Sequence, residues 1–171
     1  MTGQIVIPKL PPDPSKPDGI SVLDCAVEAE FMAQWLFLEW GDYDPNETLD
    51  TCRADLLDGL NADVEIPKTF VYRKDGQIAG WAGVIQVDLT SRPRMGPWFA
   101  NLVVLPDFRN QGIAHALIQH VMDYARTVTD VLYLYTDNLQ STYALLGWTA
   151  IEEVTLPTGK TVTIMRWDPA L

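Results

Sequence analysis

The chain has 171 residues, the length of one ordinary domain, and 47% of them are hydrophobic, enough for a single large core. Its 23 acidic residues outnumber 12 lysines and arginines, and the net charge of −11 argues against nucleic acid or an anionic membrane as partner. The same charge is compatible with a cationic substrate, but more simply reads as a surface that keeps the protein soluble. Cys25 and Cys52 show neither a CxxC nor a zinc-finger spacing and read as reduced thiols. No apolar run approaches the roughly 18 residues of a membrane span. The N-terminus lacks a basic region followed by an apolar core, so the expectation is a cytoplasmic protein without a leader.

In chain order, residues 1–19 contain "PKLPPDPSKPDG", whose prolines forbid a helix or a central strand and predict an extended arm. Residues 20–171 then form one domain. Phe31, Trp35 and Leu38 recur at helical spacing within a helix from Ala26 to Trp40. "GDYDPNET" breaks it, and Asn46 or Thr48 caps a second helix over about Leu49–Leu60. Asp75-Gly76 is a two-residue turn signal between two strands. A strand at about Trp98–Leu105, a helix at about Gly112–Arg126, and the short apolar strand "VLYLYT" come next. A short helix at Gln140–Leu146 and two strands, about Trp148–Thr155 and Lys160–Trp167, complete the chain. The order α-α-β-β-β-α-β-α-β-β predicts an α/β (α+β) fold, a mixed sheet with helices on its faces.

The stretch "VVLPDFRNQGIAHALI" (Val103–Ile118) runs from a buried strand through a polar loop into a helix N-terminus. Such a start presents unpaired backbone N–H groups at the positive end of a helix dipole, a ready site for phosphate. Gly112 lets a ligand approach the backbone, and Arg109 adds a positive charge. Neither a Walker A loop nor a dinucleotide GxGxxG is present. An ordinary strand-to-helix connection is the competing reading.

"RNQGIA" (Arg109–Ala114) resembles the R/Q-x-x-G-x-G/A motif of the GNAT superfamily of acetyl-CoA-dependent N-acetyltransferases. "PWFANLVVLPDFRNQGIAHALI" is similar to that family's cofactor strand, loop and helix, "LYLYT" to its next strand, and "TYALLGW" (Thr142–Trp148) to its Y-x-x-x-G-F/W segment. The resemblance spans about Ile20–Trp167 and implies a GNAT-like, mostly antiparallel central sheet. It implies acetyl-CoA as acyl-donor cosubstrate. Backbone groups of Leu102, Val103 and Val104 would pair with the pantetheine arm, and Arg109, Asn110, Gln111, Gly112, Ile113, Ala114 and His115 would form the pyrophosphate site. Ala114 stands at the motif's last position, where a methyl is tolerable but tight.

Amide formation needs a neutral amine, a polarised thioester carbonyl and a proton or its equivalent for the departing thiolate. Tyr143 stands where the family commonly carries that acid, and a phenol can donate at neutral pH. It also suits simple packing of the short helix. Many relatives place a glutamate one or two residues before the L-V-V segment; here stands Asn101, which cannot act as a base but could hold water or substrate. Glu39, Asp42, Asp44 and Asp88 are substitute carboxylates, and a route with water as proton acceptor is open. With Trp40 and Tyr43, Glu39, Asp42 and Asp88 are the candidate acceptor-binding residues; aromatics and carboxylates together suit an organic cation, though the same inventory more simply describes an ordinary core and surface. Asn138 could bond the pantetheine arm, although Thr136 lies nearer the usual separation from Tyr143. His115 reads as exposed and His120 as partly buried and structural. Two histidines without clustered ligands predict no metal site. Three functions stay open: acetylation of a small-molecule amine, acetylation of a protein lysine or N-terminus, and non-catalytic acyl-CoA binding. Monomer and homodimer are equally compatible with the residues.

Overall fold

The structure, a computed structural model, describes residues 6–170. Residues 6–18 carry no helix or strand. Ile7 and Leu10 nevertheless pack on the core, and Asp13 N–H donates to the Gly76 carbonyl at 2.8 Å. In chain order the elements are β1 (Gly19–Val22), α1 (Ala26–Trp40), α2 (Leu49–Asp58), β2 (Lys68–Lys74), β3 (Gln77–Ile85), β4 (Trp98–Val104), α3 (Ile113–Val128), β5 (Leu132–Thr136), α4 (Gln140–Leu145), β6 (Thr149–Thr155) and β7 (Thr161–Trp167), with one 3₁₀ turn at Pro106–Phe108. β1 extends the order read from sequence. Four residues give it no periodicity, and it exists by pairing with β2, from Gly19↔Arg73 to Val22↔Phe70.

The strands form one seven-stranded sheet in the order β1-β2-β3-β4-β5-β7-β6. Every neighbouring pair is antiparallel except β4 and β5. Asp75 and Gly76 both have positive φ, 53° and 71°, as the tight β2–β3 turn requires. Thr48 caps α2 through a capping box with Thr51.

α3 and α4 cover one face of the sheet. Ile113, Leu117, Ile118, Val121, Met122 and Ala125 of α3 pack there with Phe70, Phe99, Leu134, Tyr143 and Trp148. α1 and α2 cover part of the other face, where Phe31, Met32, Leu36 and Leu56 meet Val71, Trp81 and Val103. A third cluster, with Ile85, Leu89, Trp98, Ala100, Val154 and Ile164, has Tyr43, Tyr133 and Tyr135 packed against it. On β5 the side chains alternate, so Leu134 joins the α3 cluster while Tyr133 and Tyr135 join the third.

Arg73 is sealed inside, 2% exposed, between Ser21 Oγ at 2.7 Å and Glu28 Oε2 at 2.5 Å. It ties β1, α1 and β2 together. Among the described residues no helix is long and apolar enough to cross a membrane.

Candidate active site

The site begins with a defect in the sheet. β4 carries one extra residue relative to β3: Trp81 pairs with Val103 and Gly83 with Ala100. Asn101 sits at this bulge with φ 62°, a left-handed conformation that asparagine tolerates better than most residues. A bulge bends its strand and re-aims the residues beyond it. β4 and β5 accordingly pair only at Trp98↔Tyr133, and past that point the β4 edge has no strand partner. Leu102, Val103 and Val104 lie on this open edge. The Val104 carbonyl accepts a 3.1 Å hydrogen bond from Arg109 Nε, so Arg109 folds back on its own strand.

The loop after β4 ends in Asn110 with φ 60° and Gly112 with φ 78°. Gly112 is the N-cap of α3, and no side chain caps that helix. The first-turn N–H groups of Ile113, Ala114 and His115 therefore keep their donor capacity. A Cβ added at Gly112 would meet nothing within 4 Å. That uncapped helix start with open space before it fits a pyrophosphate, and the free β4 edge fits an extended pantetheine arm. Lys74 Nζ reaches Gln111 Oε1 at 2.7 Å, which places a second cation beside the loop. His115 is exposed, whereas His120 is half-buried edge-on to Phe70 at 4.7 Å, where burial lowers its pKa.

Where β4 and β5 part, a cleft of about 890 Å³ opens. Its wall includes Asn101 and Leu102 from β4, Thr136 and Asn138 at and after the end of β5, Tyr143 from α4, and Trp40, Tyr43 and Asp88. Of the residues singled out from sequence, Glu39 and Asp42 are exposed and are not part of this wall. Thr136 Oγ1 accepts from the N–H groups of Asn138 (3.4 Å) and Leu139 (3.1 Å), shaping the turn that presents Asn138.

Tyr143 is 5% exposed, its ring packed against Phe99 and Trp148 at 6.1 and 6.0 Å. Its hydroxyl has no partner among the described residues, and burial pushes its pKa up to about 12. Five carboxylates line the cleft, Asp44, Glu47, Asp55, Asp88 and Asp137, the last paired with Lys160. Burial first, and repulsion from Asp55 and Glu47 second, raise Asp88 to about 7. Burial, Asp58 and Glu47 raise Asp55 to about 6. The negative charge of Asp88, then burial, keep the Tyr135 hydroxyl protonated well above the usual phenol range.

Asp55, Glu47 and Asp137 were not singled out from sequence. Thr51 and Asp55 lie one turn apart on α2 beside Cys52 and Leu56, a signal that helical spacing does contain, whereas Glu47 precedes the N-cap Thr48 and has none. Lys160 carries no such signal. It reaches Asp137 Oδ2 at 2.6 Å and Tyr43 Oη at 2.7 Å, with Nζ 4.5 Å from the Tyr43 ring centre, joining three loops at the cleft mouth. Among the described residues no group of three or more His, Cys, Asp or Glu converges to hold a metal ion.

A splayed strand pair beside an uncapped helix start, with a cleft leading to a buried phenol, can take an extended ligand with an anionic end. The sequence model of the acetyltransferase (GNAT) family matches residues 29–148, and the chain belongs to that family. Its fold is similar to a GNAT-family acetyltransferase of Desulfovibrio desulfuricans at 16% identity and TM-score 0.64, covering 88% of this chain and 98% of that one. An aminoglycoside 6′-N-acetyltransferase complexed with coenzyme A is similar at 17% identity and TM-score 0.64, with 88% and 96% covered. An acetyltransferase from Salmonella typhimurium with its cofactor acetyl-CoA is similar at 15% identity and TM-score 0.64, with 90% and 95% covered. No curated protein sequence matches the chain.

Proposed function

We propose that the protein transfers the acetyl group of acetyl-CoA directly to the nitrogen of a primary amine on a small molecule. The observation that carries this reading is the unpartnered Tyr143 hydroxyl together with the half-buried, unpartnered Asp88 carboxyl, both on the wall of the cleft where β4 and β5 part. A thioester lying in the gap is then flanked by a donor for its sulfur and an acceptor for the proton of the incoming nitrogen.

Each role has its chemical reason. The N–H groups at the start of α3 and the open edge of β4 bind and orient the donor. Asp88 takes the proton that the attacking nitrogen must lose, a task for which the Asn101 amide lacks basicity. Asn101 holds substrate or water instead. The C–N bond forms, the C–S bond breaks, and the thiolate leaves. A phenol near pKa 12 facing a thiol near 8.5 makes full proton transfer uphill by roughly 5 kcal/mol. Tyr143 therefore acts chiefly as a hydrogen-bond donor to the departing sulfur, which takes its proton finally from water or from Asp88. Trp40 and Tyr43 supply aromatic surface to the acceptor.

The test is release of free CoA from acetyl-CoA, followed with a thiol reagent across a panel of amines. Amine-dependent release with an N-acetyl product is expected. Tight acetyl-CoA binding without turnover on any small amine or peptide would instead make the protein an acyl-CoA-binding module, and turnover confined to peptides would move the acceptor to a protein.

A further inference from the structure

The proline-rich arm before β1 meets the rest of the chain at the two supports of the loop between β4 and α3. Ile7 and Leu10 share a cavity wall with Leu105, Pro106 and Phe108, and Lys9 Nζ meets Asp107 Oδ2 at 2.7 Å. Further along, the Asp13 N–H donates to the Gly76 carbonyl at 2.8 Å, and Asp18 Oδ1 accepts from the Gly76 N–H at 3.4 Å. A Cβ on Gly76 would lie 2.9 Å from the Asp13 carbonyl oxygen, so arm and turn are in close contact. Both attachments lead directly to the donor loop. Leu105–Phe108 is its first half and adjoins Arg109. Lys74, at the β2 side of the Asp75-Gly76 turn, donates to Gln111 Oε1 at 2.7 Å.

The Lys9–Asp107 ion pair contributes little, because both side chains are mostly exposed. The apolar anchors Ile7 and Leu10 and the backbone hydrogen bond of Asp13 carry the docking. Pro8, Pro11, Pro12, Pro14 and Pro17 restrict the free arm, which lowers the entropy lost when it docks. The seating is nonetheless incomplete. A cavity of about 180 Å³ lies between Ile7 and Leu10 of the arm, Phe31 and Trp35 of α1, and Leu105 and Phe108. The indole N–H of Trp35, shut off from solvent, has no partner among the described residues. Such a void forfeits dispersion contacts. An arm held this lightly can open without unfolding the sheet, and an equilibrium of that kind responds to a ligand that favours one side of it.

We infer that the docked arm sets the donor loop for the phosphates of the coenzyme, with Ile7 and Leu10 as positioning residues. The inference rests on the placement of the coenzyme at the start of α3. The arm acts through the loop and not on the acceptor cleft, whose lining includes none of its described residues. Undocked, the loop loses its brace at Leu105–Phe108, and the N–H groups of the first turn of α3 lose their fixed aim. The effect is a coupling free energy, so it runs in both directions: a bound donor holds the arm down as much as the docked arm favours the donor.

The experiment reads both directions on the full chain with CoA as the probe, so that no turnover is needed. Calorimetric titration of CoA into the wild type, Leu10→Ser and Leu10→Ile reads the first. Leu10→Ser is expected to raise Kd by about fivefold or more, and Leu10→Ile to restore it. Ile7→Ser serves the same purpose should Leu10→Ser melt early. Limited digestion of the wild type with trypsin reads the second. Cleavage after Lys9 is expected to slow severalfold in saturating CoA, while cleavage after Arg94, exposed between β3 and β4, keeps its rate. An arm that only adds stability would lower Tm in Leu10→Ser and leave Kd unchanged. That result, or cleavage after Lys9 that is indifferent to CoA, overturns the inference. Failure of the wild type to bind CoA overturns the donor site itself.

Discussion

Replacing Gly112 with alanine separates backbone strain from loss of donor binding. Gly112 has φ 78°, where an L-residue costs about 1–2 kcal/mol. Nothing lies within 4 Å of the added Cβ, so no clash augments that cost in the free protein. For a chain of this size each kcal/mol lowers Tm by roughly 2–4 °C, which sets the expected drop without ligand. In the proposed donor site, the space that the methyl enters is where the donor's phosphates would approach the α3 N-terminus. Acetyl-CoA at a hundredfold excess over Kd stabilises the wild type by about 2.7 kcal/mol. A tenfold weaker Kd cuts this to about 1.4 kcal/mol at the same concentration. Thermal unfolding of both proteins, with and without acetyl-CoA, reads the two effects separately. A ligand-induced rise identical to that of wild type would refute the placement of phosphate at Gly112, whatever the drop in the free protein.

Three further expectations come from particular contacts. Tyr143→Phe removes a hydroxyl that bonds nothing among the described residues, so Tm changes little while kcat falls by about 10²–10³ with KM nearly constant, as steady-state kinetics will show. Glu28→Ala leaves Arg73, 2% exposed, with Ser21 as its remaining side-chain partner; denaturant unfolding is expected to show a loss of about 3–5 kcal/mol. Asp88 has its folded pKa raised, to about 7, so the folded state holds the extra proton between roughly pH 4 and pH 7. Stability therefore falls as pH rises through that window. Asp88→Asn should flatten the dependence and raise unfolding stability at pH 8, by a ceiling of about 4 kcal/mol, and equal pH slopes for the two proteins would contradict the raised pKa of this carboxyl.

What sequence could show depended on how local the cause was. α1 has the predicted bounds, Ala26–Trp40, because its apolar stripe and the break at "GDYDP" are both local. The Asp75-Gly76 turn and the α3 start at "RNQGIA" are local as well, fixed by residues that accept positive φ. β1 was not legible, because four residues at a sheet edge take their structure from β2, some fifty positions away. Asn101 could be read from sequence only as the absence of a base. Its left-handed backbone, which helps to part β4 from β5, needs the register against β3 to be seen. The acidic wall has the same character: Glu47 and Asp55 belong to the approach and middle of α2, Asp88 to the chain after β3, and only packing brings them to one cleft. Glu39 and Asp42 sit in the same stretch of sequence as Tyr43 yet face solvent, Glu39 from the exposed side of α1 and Asp42 from the turn after it, while Tyr43 lines the cleft.

The central claim is transfer of acetyl to nitrogen, and product analysis tests it most directly. The protein is incubated with acetyl-CoA labelled in the acetyl group and with spermidine or kanamycin, and the amine is recovered for mass spectrometry. Label on an amine nitrogen is expected, formed in step with free CoA and strongly reduced in Tyr143→Phe. Unlabelled amine after complete saturation with acetyl-CoA, across these and a wider set of amines and peptides, would contradict it.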